Sequence, residues 1–123
     1  MASWSSVKNF LHSNYHVQAD NGGMMSLVVP TGDGRTQLVH VSDGSSVVQI
    51  SSPVAQVREV TAEQVLRATE GKLLGVQMVG AMYLVASIVV LEGMSEEELQ
   101  RPLWFLAWTA DEMEQQLVLG DKY

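Results

Sequence analysis

His12 and His16 stand four residues apart, the spacing at which two imidazoles on one helical turn can share a zinc ion. The glutamate of the HExxH pattern is missing, since residues 13–15 read Ser-Asn-Tyr, and the chain has no cysteine to complete such a site. Two exposed histidines at a fraying helix end account for the pair. Gly32-Asp33-Gly34 could open a phosphate-cradling loop, but it continues Arg35-Thr36-Gln37 without a third glycine, a GK[ST] ending or a helix, so it reads as a hairpin turn. Neither Ser45-Ser46 nor Ser51-Ser52 sits in a G-x-S-x-G elbow, and no nucleophile has a base beside it in the sequence. Glu96, Glu97 and Glu98 are explained by a helix start, and Asp111, Glu112 and Glu114 by an exposed helix face; no calcium-loop pattern frames either set. The expectation is a chain with no catalytic residue, no cofactor and no metal.

These residues sit in 123 positions, the size of one domain with a single core. With 46% hydrophobic and 17% charged residues, it can bury enough apolar surface to offset the entropy of ordering. The absence of cysteine removes disulfides and thiolate zinc sites and points to a reducing cytoplasm. Met1 to His16 has a single lysine and no uninterrupted apolar stretch, so it does not read as a secretory signal. The net charge of −7 and the scattered bases Lys8, Arg35, Arg58, Arg67, Lys72, Arg101 and Lys122 argue against nucleic acid, whose phosphates need grouped cations. From Glu92 to Tyr123 there are eight acids and two bases, an acidic face suited to solubility or to steering a basic partner.

Hydrophobic spacing predicts the elements. Trp4, Val7, Phe10, Leu11 and Tyr15 recur at three and four, one side of a helix over Ser3–Tyr15. Asp20-Asn-Gly-Gly breaks the chain. Met24–Val29 reads as a strand stopping at Pro30, Thr36–Val41 alternates with Val39 and Val41 on one face and Leu38 and His40 on the other, and Ser46–Val54 resumes after the turn Ser42-Asp43-Gly44-Ser45. Three such strands form an antiparallel meander. Thr61-Ala-Glu-Gln64 has capping-box form, flanked by Val60 and Val65 as a hydrophobic staple, so a helix runs from Thr61 to near Gly71.

Leu73–Leu91 contains no charge and approaches the length of a membrane span, but Gly75, Gln77, Gly80 and Ser87 interrupt it and Ile88-Val89-Val90 favours a strand. Two strands are expected, Leu74–Val79 and Met82–Leu91, the second apolar on both faces: Leu84, Ala86, Ile88 and Val90 on one, Tyr83, Val85, Val89 and Leu91 on the other. No membrane partner is expected. Ser95 caps a third helix with Glu98 as its reciprocal partner, and Leu99, Leu103, Leu106, Ala107, Ala110, Met113 and Leu117 form its seam, with Gly120 as a stop. Pro102 should kink that helix or break its first turn. The fold class is α+β, with helices packed on one antiparallel sheet.

Trp104 and Trp108 lie one turn apart beside the seam. Together with Tyr83, Val85 and Val89 they are the candidate protein interface, since tryptophan is enriched at binding hot spots and a doubly apolar strand needs a second cover. The order helix, three strands, helix, two strands, helix, with Met82 to Leu99 running into Thr109-Ala-Asp-Glu-Met-Glu-Gln-Gln-Leu117, resembles the YbjN family, which is similar in fold to the class I type III secretion chaperones. The resemblance covers nearly the whole chain. It implies a non-enzymatic, dimeric, chaperone-like or regulatory α+β domain with a protein client, and it carries over no active-site residues. Pro102 and Trp104 depart from the plainer amphipathic helix of that pattern. An alternative from another class is a small-molecule binder or unrecognised enzyme with a methionine-lined pocket between the sheet and the third helix.

Overall fold

The computed structural model describes residues 3–72 and 74–118. Its elements are α1 (Trp4–Asn14), β1 (His16–Asp20), β2 (Met24–Gly32), β3 (Arg35–Asp43), β4 (Val47–Gln56), α2 (Ala62–Ala68), β5 (Gly75–Val79), β6 (Met82–Val90), a single 3-10 turn (Glu96–Leu99) and α3 (Gln100–Val118). The six strands form one antiparallel sheet in the order β1-β2-β3-β4-β6-β5. After β4 the chain crosses through α2 to the edge strand β5, and β6 then returns inside it to pair with β4 from Val47↔Val90 to Gln56↔Met82.

The alternation read from the sequence is the alternation of the sheet. Met25, Leu27, Val29, Val39, Val41, Val48, Ile50 and Val54 are buried in the core, together with Val7 and Leu11 of α1, Val65 of α2 and the α3 seam of Leu103, Leu106, Ala107, Ala110 and Met113. All three helices therefore bury their apolar sides against the same face of the sheet.

Helix boundaries follow from their caps. Ser3 and Thr61 each close a capping box, with Ser6 and Gln64 as reciprocal partners, and the chain beyond α2 turns at Gly71, φ +79°. Glu98 accepts a hydrogen bond from the Ser95 backbone N–H at 3.3 Å, but the turn it starts is 3-10, and α3 proper begins at Gln100. Pro102 thereby falls in the first turn of α3, where its missing N–H has no intrahelical acceptor to lose. That is the broken first turn expected from its position. The expected stop at Gly120 and the residue Leu73 lie outside the described residues.

Three features correct the sequence reading. There are six strands instead of five: β1 is short and mostly exposed, with only Val17 and Ala19 apolar, so its pattern is weak. What holds it is backbone pairing with β2 and an ion-pair clasp, Asp20 to Lys8 at 3.0 Å and to His12 at 2.8 Å. Hydrogen bonds from His12, the Gly22 backbone N–H and Lys8 hold the Asp20 carboxyl well below the usual carboxylate range. Secondly, β2 does not stop at Pro30. It runs to Gly32, because its partner β1 ends at His16 opposite Val28 and no strand on that side needs the N–H that proline lacks.

Thirdly, β4 runs past Val54 to Gln56 with Pro53 inside it. The β3–β4 ladder extends only from Asp43↔Val48 to His40↔Ser51, and side chains take over where it opens. Ser52 Oγ donates to the Leu38 carbonyl at 2.6 Å, and buried Gln37 donates through Nε2 to Ser52 Oγ at 2.9 Å and to the Pro53 carbonyl at 2.8 Å. Two polar side chains thus replace the missing rungs under the core. Ser52→Ala should lower unfolding free energy by about 1–3 kcal/mol, because it removes the Leu38 carbonyl's donor and one of the two acceptors of the buried Gln37 amide. Urea denaturation checks this, and a change below the error of the fit would remove the role assigned to Ser52.

Candidate functional site

The seam of α3 fixes what its other side shows. With positions 103, 106, 107, 110 and 113 turned inward, Trp104, Phe105 and Trp108 remain 55%, 46% and 43% exposed. The two indoles lie against each other in a tilted contact, ring centroids 5.2 Å apart at an interplanar angle of 46°. Trp108 also lies against the β2–β3 hairpin: a Cβ built on Gly32 would meet its ring at 3.3 Å. Gly32, Asp33 and Gly34 all have positive φ, +111°, +53° and +75°, so the Gly-Asp-Gly sequence is needed for this tight turn under the indole. An exposed aromatic cluster on a rigid helix has the composition of a binding hot spot.

A polar knot locks α3 to that hairpin. Arg35 grips Asp111 with both arms of its guanidinium, Nη2 to Oδ1 at 2.8 Å and Nε to Oδ1 at 3.0 Å. Thr31 Oγ1 and Gln115 Nε2 donate to Asp111 Oδ2 at 3.1 and 3.2 Å, and Glu114 stands 3.9 Å from Arg35. Asp111 and Glu114 are buried acids and not the exposed helix face that their clustering suggested. Sequence spacing could not bring Arg35 to Asp111 across 76 positions; a buried acid inside an apolar seam is the signal that a cation must reach it.

The other surface is the side of the sheet away from the helices. Within the strands only Asp20, Arg35 and Asp43 are charged, each at the end of its strand. Asp20 bonds to α1 and Arg35 to α3, on the helix side. The outward rows, such as Met24–Ser42–Gln49–Ile88 and Ser26–His40–Ser51–Ala86, contain no Asp, Glu, Lys or Arg. Ile88 and Val90 are 66% and 58% exposed there, and the edge strand β5 adds exposed Val79, opposite Met82.

The sequence-predicted interface residues divide between these places. Trp104 and Trp108 are together and exposed, while Tyr83 and Val85 are buried core residues and Val89 packs against that core. Strand β6 is apolar on both faces, but its Tyr83 face looks inward and its Leu84, Ile88, Val90 face looks out, the reverse of the expected assignment. Period-two alternation separates two faces without saying which one the helices cover.

His16 has left α1 for β1, so it no longer shares a helical face with His12. Ser26 Oγ and His40 Nδ1 lie 2.9 Å apart as cross-strand neighbours, a hydroxyl beside an imidazole that the sequence reading did not find. Among the described residues no acid hydrogen-bonds the ring to orient it, as a serine–histidine–acid set requires, and burial pushes the His40 pKa down, weakening it as a base. Met25 and Met113 fill the core and do not line a pocket between sheet and α3. No described helix is long and apolar enough to cross a membrane.

No family model matches the chain, and no curated protein does. Solved structures do match in fold. A chain of the HopA1–SchA chaperone–effector complex superposes with a TM-score of 0.58 at 12% identity, over 90% of this chain and 88% of that one. An uncharacterised protein from Methanothermobacter thermautotrophicus superposes with a TM-score of 0.52 at 14% identity, over 94% of each. The chain is an α+β protein that shares its fold with a chain of a chaperone–effector complex.

Breaking the knot tests its geometry. Asp111→Ala should cost about 3 kcal/mol, since it leaves a partly buried guanidinium without its bidentate acceptor, whereas Arg35→Met with Asp111→Leu should recover most of that. Chemical denaturation of the three proteins measures both. A loss under about 1 kcal/mol for Asp111→Ala would show the pair to be as weak as an exposed one.

Proposed function

We propose that this chain is a single-domain, non-enzymatic, chaperone-like module of the cytoplasm that holds a protein client on the aromatic flank of α3 and pairs with a second copy through the uncharged outer face of its sheet. The observation that carries the reading is the exposed Trp104–Trp108 pair, in ring contact and braced through Trp108 against Gly32, with exposed Phe105 beside it on the helix. Apolar rings kept together at a surface are a usual mark of protein contact. The fold shared with a chain of a chaperone–effector complex supports the same class of role, as does the resemblance of the element order to YbjN proteins.

Self-association is argued from charge. Two molecules of net charge −7 repel except where neither presents charge, and the outer sheet face is such a place. Six strands of five to ten residues, about 4.8 Å apart and rising about 3.3 Å per residue, give on the order of 700 Å² in projection. With side-chain relief that approaches the roughly 800 Å² per partner of a stable interface. A copy of the chain against itself makes an isologous contact of uncharged surfaces.

Two variants separate the surfaces. Trp108→Glu should lose a specific protein that the wild type retains from native lysate while keeping its helix content and oligomeric state. Ile88→Glu should become monomeric by light scattering at tens of micromolar while still retaining the client. A wild type that is strictly monomeric removes the dimer, and equal retention by wild type and Trp108→Glu removes the aromatic flank as the client site.

A further inference from the structure

Beside Trp108 the hairpin and α3 enclose a groove of about 320 Å³, lined by Thr31, Gly32, Asp33, Trp108, Glu112 and Gln115 above the Arg35–Asp111 pair. We propose that this groove receives the side chain of an arginine in the bound client segment, its guanidinium lying on the Trp108 indole and facing the carboxylates of Asp33 and Glu112. The inference deepens the protein-binding reading and rests on it.

Three observations converge on a cation. The wall is an indole, the aromatic ring that attracts cations most strongly, and Trp108 presents it here apart from Trp104, which does not line the groove. The floor is already neutralised, because Arg35 and Asp111 are bound to each other, so the groove's own cation is not offered to an incoming anion. The rim carries Asp33 at the hairpin tip and Glu112, which is 63% exposed and held only loosely by Lys72 at 3.6 Å. Anionic side chains of a client would be repelled from that rim, and a neutral apolar side chain would leave two carboxylates facing it. Arginine suits the site better than lysine, since its flat guanidinium stacks on a ring and its fork serves two carboxylates together. An arginine here places the flanking residues of the same segment on the exposed Trp104 and Phe105.

The experiment uses the whole chain and a small probe, N-acetyl-arginine methylamide, with the neutral isostere N-acetyl-citrulline methylamide as control. The three indole N–H signals of Trp4, Trp104 and Trp108 are followed by NMR at physiological salt and assigned by single Trp→Phe substitutions. The expected result is a saturating shift of the Trp108 signal with the arginine compound alone, with Trp4, whose indole is bonded to the Gly22 carbonyl at 2.7 Å, unmoved. Asp33→Asn combined with Glu112→Gln should weaken binding by about fivefold, the effect of losing two exposed charge contacts. Glu63→Gln combined with Glu70→Gln, the same charge change on and just beyond α2, should leave it unaltered. An unmoved Trp108 signal, equal shifts with the citrulline compound, or equal weakening by the α2 pair would overturn the site. Client retention by the wild type is read separately from lysate, so loss of the arginine site and loss of the protein-binding reading give different results.

Discussion

The seam of α3 laid across the middle of the sheet is the constraint from which the rest follows. Five of its positions, Leu103, Leu106, Ala107, Ala110 and Met113, are fully buried against β2, β3, β4 and β6. A helix has one such side. Its 3.6-residue period therefore sends Trp104, Phe105 and Trp108 to the opposite flank, and no change of rotamer could bring them into the core. The same packing gathers every helix on one side of the sheet, and among the described residues none covers the other. Both candidate surfaces are consequences of where the core lies.

Charge is distributed in accordance with that layout. The acids concentrate on helices, turns and strand ends, and the strands between are almost free of them. Where acids do enter the core at Asp111 and Glu114, Arg35 reaches in from the hairpin, so one knot both satisfies a buried carboxylate and fixes the tilt of the helix that displays the tryptophans. Gly32 contributes by its lack of a side chain: the indole rests where a Cβ would otherwise stand. Stability and the binding surface are built from the same few residues.

Much of the fold was legible because its signals are local. Capping boxes at Thr61 and Ser95, the Gly-Asp-Gly hairpin and the alternation of Val39 with Val41 depend on neighbours within a few positions, and each appears where it was expected. What stayed hidden is long-range. Strand β1 exists because β2 pairs with it and Lys8 and His12 hold Asp20, information spread over distant residues. Pro30 was read as a strand end because proline cannot join a ladder, yet β2 runs on to Gly32; Gln37 and Ser52, whose side chains stand in for rungs beside β4, gave no sign of that in sequence. At the candidate site Trp104 and Trp108 were legible from their spacing, whereas the choice of Tyr83, Val85 and Val89 failed on which face of β6 the helices cover.

The central claim is that this protein works by contact through two distinct uncovered surfaces, and site-specific photocrosslinking reads it directly. With p-benzoylphenylalanine introduced singly at Phe105, Ile88 or Glu63 and irradiated in native lysate, the account predicts a heterologous protein joined at position 105, a second copy of the chain joined at 88, and neither at 63. Equal labelling at 63, or no product at both 105 and 88, would contradict it.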